Sequence, residues 1–551
     1  MPPTPVPSNL AAAPSDATQL VTKLPTRPPV VSWQVMGKYL VYNLSGELDD
    51  ISYLFPNERL GRIAALAGAE GAAVDVLDRA NLNDLAAVGP AFMKNLGELA
   101  FAESNEQHAA GVRAEAERIL DSGCSVLFLN LWHGTGFKFS VDLACELRRR
   151  RHDLAIYAVG QKIDWYKEHI LRLTGDSIDG LITGLGYNAA RHLIRGGAAN
   201  DCPDFISKQD GRVKINRRET LNVDDYPVAT YDPAVYRQIA AKVPLYTITL
   251  SNQACPNRCV FCVRPENYGR VTVRRDLGSV VAELHHLRFV RRVRHFRIED
   301  PTPPPQAMTE LARAILASDL AGQISLSGFA RVDSNSHEDF GLLRAAGFRA
   351  LFFGIESLDD ENLRRIRKGT SYQAIRDTLR AAHEAGVATV GSFIFPIPGE
   401  TRASMDNTLR RLDEIRPWLD SLLAFPACIY PPTEWGRHPD RYGIRLDADY
   451  IEKFVAYPLK YLLPLKYWPP APFRYSVMDC DLETMDFKRD VFGMYDEFQA
   501  HVRQLGIPFI HDYYYLLAEI MGQEPVAATR QLVQAMIARD YAAIRRALLP
   551  G

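Results

Sequence analysis

No run in this 551-residue chain is long and apolar enough to span a bilayer. Its first residues also lack the charged-then-apolar order of a secretory signal. Charge of one sign is missing too. The net charge is only −2, so nothing draws the chain electrostatically to nucleic acid or to a membrane surface. Two arginine-rich stretches, Arg148–Arg151 and Arg288–Arg297, read as solvated faces. Cysteine is scarce. Three of the eight crowd into one loop, which excludes a disulfide framework and fits a reducing cytoplasm. What remains, 47% hydrophobic and 24% charged residues, is the balance of a globular protein long enough for several domains.

The cysteine loop carries the most information. It reads Cys255-Pro-Asn-Arg-Cys259-Val-Phe-Cys262 and follows a strand-like run, Tyr246–Ser251. Closed structural zinc sites use four ligands. Three thiolates on one loop can instead hold three corners of a [4Fe–4S] cluster and leave one iron open for a substrate. The alternative is a zinc knuckle whose fourth ligand comes from elsewhere. With its aromatic residue before the last cysteine, the CxxxCxxC pattern resembles the cluster loop of the radical S-adenosylmethionine (SAM) enzymes.

The pattern along the chain divides it into five parts. Residues 1–30, rich in Pro, Ala, Ser and Thr, read as a disordered tail. Residues 31–201 alternate strand and helix, with strands expected at Tyr39–Leu44, Ala72–Leu77, Ser125–Leu131, Leu154–Val159 and Gly180–Thr183, which predicts a doubly wound parallel sheet. Residues 202–243 read as a linker. Residues 244–441 alternate again through six βα units, which predicts an open, partial (β/α)6 barrel with its chemistry at the carboxyl ends of the strands. Residues 442–551 read as a helical, aromatic-rich region that caps the barrel.

The resemblance to radical SAM enzymes extends along this second block. It implies that Glu299 or Asp300, after the second strand, receives the SAM amino group, although the common Gly-Gly-Glu triplet is absent. It implies that Glu356, in Gly354-Ile-Glu-Ser357, accepts hydrogen bonds from the ribose hydroxyls, a role that suits a carboxylate. Arg331 is a candidate partner for the SAM carboxylate. The loop Phe395-Pro-Ile-Pro-Gly-Glu400 is similar to one typical of the family. Each residue has a plainer alternative: Glu356 as a helix cap, Arg331 as a surface ion pair.

A doubly wound domain ahead of such a barrel resembles the cobalamin-dependent radical SAM class. The segments that carry the likeness are Leu54-Phe-Pro-Asn-Glu-Arg-Leu60, Ser125–Trp132 leading into His133-Gly-Thr-Gly136, Tyr157–Gln161, Asp179–Gly186 and Val223-Asp-Asp-Tyr-Pro227. They make Trp132, His133, Gly134, Gly160, Gly184 and Gly186 candidate cobalamin contacts. The Asp-x-His-x-x-Gly motif is absent, so no histidine is marked as a cobalt ligand, and His133 reads equally as a plain loop residue. Gly184-Leu-Gly186-Tyr-Asn-Ala189 also fits a dinucleotide fingerprint, but it follows the fifth strand where that fingerprint belongs after the first.

The resemblance implies a methyltransferase for a small molecule, of the kind that tailors specialised metabolites. One SAM would form methylcobalamin, a second would yield the 5′-deoxyadenosyl radical, and a flavodoxin- or ferredoxin-like donor would supply electrons. A non-methylating rearrangement, ring contraction or oxidation needs the same motifs and stays open. Tyr430, Glu434 and Trp435, after the last barrel strand, are candidate substrate contacts. Tyr457, Tyr461, Tyr467, Trp468, Phe473 and Tyr475 read either as an aromatic pocket or as ordinary core. Cys428 and Cys480 have no assigned role, and the oligomeric state is not legible.

Overall fold

The computed structural model describes residues 37–44, 50–85, 106–131, 135–334, 336–337, 339–456 and 471–549. The tail at 1–30 and the candidates Trp132, His133, Gly134, Tyr457, Tyr461, Tyr467 and Trp468 lie outside the described residues.

The first sheet is built from β1 (Tyr39–Asn43), β2 (Val74–Asp78), β3 (Val126–Asn130), β4 (Ala155–Val159), β5 (Gly180–Ile182), β6 (Phe205–Gln209) and β7 (Arg212–Ile215). Their spatial order is β2-β1-β3-β4-β5-β6-β7. The first five are parallel and the last two antiparallel. Helices on both faces explain why β1 is buried at all five positions. Helix α1 (Glu58–Ala69) begins where the Asn57 side chain accepts the Arg59 N–H, and it buries Leu60, Ile63, Leu66 and Ala67 along one stripe. The order 2-1-3-4-5 reverses direction between β1 and β3, and ligands of doubly wound sheets bind at the carboxyl ends flanking that reversal.

The sheet runs on into the stretch expected to be linker. β6 and β7 form a hairpin over the two-residue turn Asp210-Gly211, both at positive φ, which matches the right-handed twist of paired strands.

The second sheet has six parallel strands in sequential order: β8 (Leu245–Ile248), β9 (His295–Ile298), β10 (Ser325–Ala330), β11 (Phe348–Glu356), β12 (Ala388–Ile394) and β13 (Ser421–Phe425). Its first and last strands do not pair, so the barrel stays open. The C-terminal region is helical at Phe487–Gln504, Asp512–Met521, Pro525–Ile537 and Tyr541–Leu548. The second of these enters the barrel interior beside β10 and β11. Ile51, Leu54 and Phe55 of the first domain share a core with these helices and with Leu245 of β8.

Arg297 and Arg148 are not on solvated faces. Arg297 points into the barrel and donates to both carboxylate oxygens of Asp512, at 3.1 and 3.0 Å. Arg148 is buried and donates to the carbonyls of His152 and Leu154 and to Asp179. A charge run says nothing about which of its members meets a buried carboxylate across the fold.

Candidate active site

The cysteine loop is preformed by contacts from four segments. Asp300, fully buried at the end of β9, accepts the Leu250 N–H and the Ser251 hydroxyl. Burial pushes its carboxyl up to about 7 against those two donors. The Asn252 side chain accepts the N–H groups of Val273 and Ala254. Val260 donates to the Ile366 carbonyl and accepts from the Trp435 N–H, and the Trp435 ring lies 5.9 Å from that of Phe261.

Cys255 is buried, and Cys259 and Cys262 are half-buried. Burial raises the Cys262 thiol to about 12, opposed first by the backbone N–H of Arg264. Burial also raises Cys259, while Lys368 and Arg331 pull it back. The Asn257 amide donates to the Cys255 sulfur at 3.5 Å. Among the described residues no three or more His, Cys, Asp or Glu side chains converge as a site for a single metal ion. Three thiols on one loop, with N–H donors at sulfur and two cations beside them, fit an anionic cluster that brings its own sulfur better than they fit one zinc.

Glu356 ends β11 with φ +66, at a register shift against β12 between Gly354 and Glu356. A left-handed backbone at a non-glycine residue costs about 1–2 kcal/mol, and such strain collects at functional sites. It turns the carboxylate toward Lys368, 2.8 Å from Oε1, and toward the Ser392 hydroxyl, 3.3 Å from Oε2. Arg331 is buried, grips both oxygens of Asp333 at 2.9 and 3.1 Å, and donates to the Lys368 carbonyl. It is therefore an ion pair: burial opposes its charge, and Asp333 first, then the neighbouring Cys259 and Cys255, favour its protonated form.

A cavity of about 180 Å³, open to solvent, lies between the two sheets at their carboxyl ends. From the first domain it is lined by Asn43 and Asn130, flanking the β1/β3 reversal, and by Glu58, Arg59 and Gln161. From the barrel come Thr247, Thr249, Gln253, Arg264, Arg297 and Glu299. Asn130 donates to Asn43, and Asn43 to Asp78, each at 2.7 Å, so the sheet's edge is a fixed polar chain. Directly after Cys262, helix α2 (Arg264–Tyr268) is fastened to the first domain. Asp164 accepts the Tyr268 hydroxyl at 2.8 Å and the Gly184 N–H at 3.0 Å, and its carbonyl accepts the Asn267 amide.

Residues 250–412 match the family model of the Radical SAM superfamily. The chain carries a radical SAM domain. The chain is 24% identical over 239 residues to an uncharacterized methyltransferase of Pyrococcus horikoshii, covering 42% of this chain and 52% of that one. It spans about half the length of the curated relatives it matches. Its fold matches that of the radical SAM methyltransferase TsrM of Kitasatospora setae, solved with cobalamin and a [4Fe–4S] cluster bound, with TM-score 0.64 and 14% identity over 93% of this chain and 99% of that one. It also matches the cobalamin-dependent SAM radical enzyme OxsB, with TM-score 0.59 and 14% identity over 93% and 80% of the chains. The fold is thus similar to those of these two solved enzymes along most of the chain. No helix among the described residues is long and apolar enough to cross a membrane.

Within this radical SAM fold the structure sorts the expected site residues. Cys259, Arg331 and Glu356 meet around Lys368, which no sequence signal marked: its ammonium donates to Glu356, its carbonyl accepts from Arg331, and its charge acts on Cys259. Asp300 is fully buried, and both its oxygens accept from the residues leading into the cysteine loop. Glu299 faces the cavity between the sheets. The three glycines answer to the protein itself. A Cβ at Gly160 would meet Asn130 Oδ1 at 2.4 Å, at Gly184 the Asn267 carbonyl at 2.8 Å, and at Gly186 the Ile182 side chain at 2.3 Å.

Tyr430, Glu434 and Trp435 do not line the cavity. Trp435 is 2% exposed and braces the cysteine loop from behind. Glu434 pairs with Arg441 and Tyr442. Tyr430 packs between Trp165 and Phe454. The chain turns away after β13, so these side chains stand behind the site. Phe473 and Tyr475 are buried core in a short strand, Phe473–Tyr475.

Proposed function

We propose that this chain is a cobalamin-dependent radical SAM methyltransferase acting on a small molecule. The observation that supports the reading is a cavity shared by two facing sets of strand ends, lined by Gln253 and Arg264, which flank the cysteine loop, and by Asn43 and Asn130 at the β1/β3 reversal. Cys255, Cys259 and Cys262 would hold a [4Fe–4S] cluster with one iron open. Glu356 would accept the ribose hydroxyls of SAM, and Arg331 would offer its remaining donors to the SAM carboxylate. Bound together, these cofactors would supply radical chemistry at an unactivated carbon and a methyl donor. The protein's share is to orient the reactants and to exclude water from the cavity. Asn43, Asn130 and Gln161 would face the corrin from the first domain. A flavodoxin- or ferredoxin-like protein would deliver the electrons.

Anaerobic purification and reconstitution tests this directly. About four irons per chain, one bound cobalamin and reductant-dependent 5′-deoxyadenosine are expected. Zinc in place of iron, or a cluster that never cleaves SAM, overturns the reading. OxsB, described as a radical enzyme and not as a methyltransferase, supports a second reading in which no methyl group moves. S-adenosylhomocysteine formed alongside 5′-deoxyadenosine would favour methyl transfer; its absence with turning-over substrate would favour the second.

A further inference from the structure

Two acceptors lining the cavity lack donors. Glu58 Oε2 and Glu299 Oε2 are both buried without a hydrogen-bond partner. The Glu58 side chain is 7% exposed, and its other oxygen already takes the Arg62 guanidinium at 2.6 Å and the Thr249 hydroxyl at 3.2 Å. Thr249 and Glu299 are neighbours across the strand ends, since Glu299 N–H donates to the Ile248 carbonyl. Thr249 thus donates to Glu58, of α1 in the first domain, and stands beside Glu299, which follows β9 in the barrel. A buried acceptor left without a donor costs about 1–3 kcal/mol, so such groups point to a ligand that supplies one.

The lining also says which kind of donor. The cavity holds three guanidinium groups, and each already has partners: Arg59 has the Tyr268 hydroxyl, Arg264 has Gln253, and Arg297 has Asp512. Glu58 is likewise balanced by Arg62. The local charge is met, and only hydrogen-bond donors are wanting. Neutral N–H groups meet that need where another cation would not. The rim of a corrin ring, with its primary amide side chains, is a dense source of them.

We propose that Glu58 and Glu299 accept amide N–H groups from the corrin rim, one from each domain, so that cobalamin fastens the barrel to the first domain. The assignment rests on the cobalamin reading above. It gives Glu299 a role apart from the SAM amino group, which the sequence pattern suggested for it.

The test uses full-length protein with its cluster reconstituted, titrated with hydroxocobalamin and followed by protein fluorescence and corrin absorbance. Glu299→Gln and Glu299→Ala are expected to weaken hydroxocobalamin about tenfold, to reduce the rise in melting temperature that it causes, and to leave SAM affinity unchanged. The heptamethyl ester of cobyrinic acid keeps the ring but has no amide N–H, and wild type and variants should bind it alike. Hydroxocobalamin affinity equal to wild type in both variants overturns the proposal and leaves the cofactor reading standing. Loss of SAM affinity in place of cobalamin affinity overturns it and returns Glu299 to the SAM site. Failure of the wild type to bind hydroxocobalamin removes the cofactor reading and the proposal with it.

Discussion

Single residues here carry sharply different duties within a few positions. Glu299 and Asp300 are neighbours, yet one faces a cavity and the other is a fully buried staple for the cysteine loop. Alternation along a strand end separates them, since adjacent side chains point to opposite faces. Glu356 is held by Lys368 and Ser392 in a strained backbone, as expected of a group placed in advance for a ligand. Glu356→Ala should weaken SAM binding about tenfold and leave iron content unchanged, read by calorimetry and iron analysis. Cys255→Ala, Cys259→Ala and Cys262→Ala should each lose the cluster absorbance and all 5′-deoxyadenosine formation.

Two buried carboxyls also predict a pH dependence. Burial pushes Glu400 and Asp300 up to about 7, above the ordinary carboxylate range. Between about pH 4 and pH 7 the unfolded chain has released these protons while the folded protein keeps them. The folded state binds more protons there, so stability should fall as pH rises through that window. Denaturant midpoints measured across it should decline, and Glu400→Gln should lower the acid-side stability while flattening the decline. A midpoint that rises steadily over the same window would contradict both carboxyl assignments.

At the scale of elements, the short helix α2 matters more than its five residues suggest. It follows Cys262 immediately and is gripped by Asp164 through Tyr268 and Asn267, and by Lys167 through the Glu266 carbonyl. Gly184, singled out in the sequence as a candidate cofactor contact, lets α2 approach, since a Cβ there would meet the Asn267 carbonyl. Asp164→Ala should cost about 1–3 kcal/mol by stranding the Gly184 N–H and the Tyr268 hydroxyl. Hydrogen exchange should rise at 264–268 and at the Gly184 turn together. The β6–β7 hairpin is a different lesson. Its Asp210-Gly211 turn is a strong hairpin signal in the sequence, and the flanking Arg212-Val-Lys-Ile215 alternates polar and apolar, although all four side chains are exposed, so the pattern marks a strand without a buried face.

For the whole molecule, the C-terminal helix Asp512–Met521 completes the barrel from inside. Burial opposes ionisation of Asp512, yet Arg297 and His511 hold its carboxyl well below the usual range. Ser327 adds a hydroxyl, and Glu519 meets Ser325 and Arg349 near the amino ends of the strands. Asp512→Ala leaves a buried guanidinium unpaired, which costs about 3–5 kcal/mol. Urea unfolding should show that loss, and an unchanged midpoint would mean that the helix is not what closes the barrel.

Local and periodic features are legible in the order of residues: strands alternating with helices, two α/β blocks, and three cysteines at a spacing that one loop can present. Those features depend on residues near each other in the chain, and period and spacing record them directly. The tertiary structure alone decided which side chains meet. Glu356 finds Lys368, Arg297 finds Asp512 more than 200 positions away, and Trp435 supports the cysteine loop in place of lining the cavity. Pairings of that kind are set by strand order and by the angle at which two domains close. A linear pattern of polar and apolar residues carries neither.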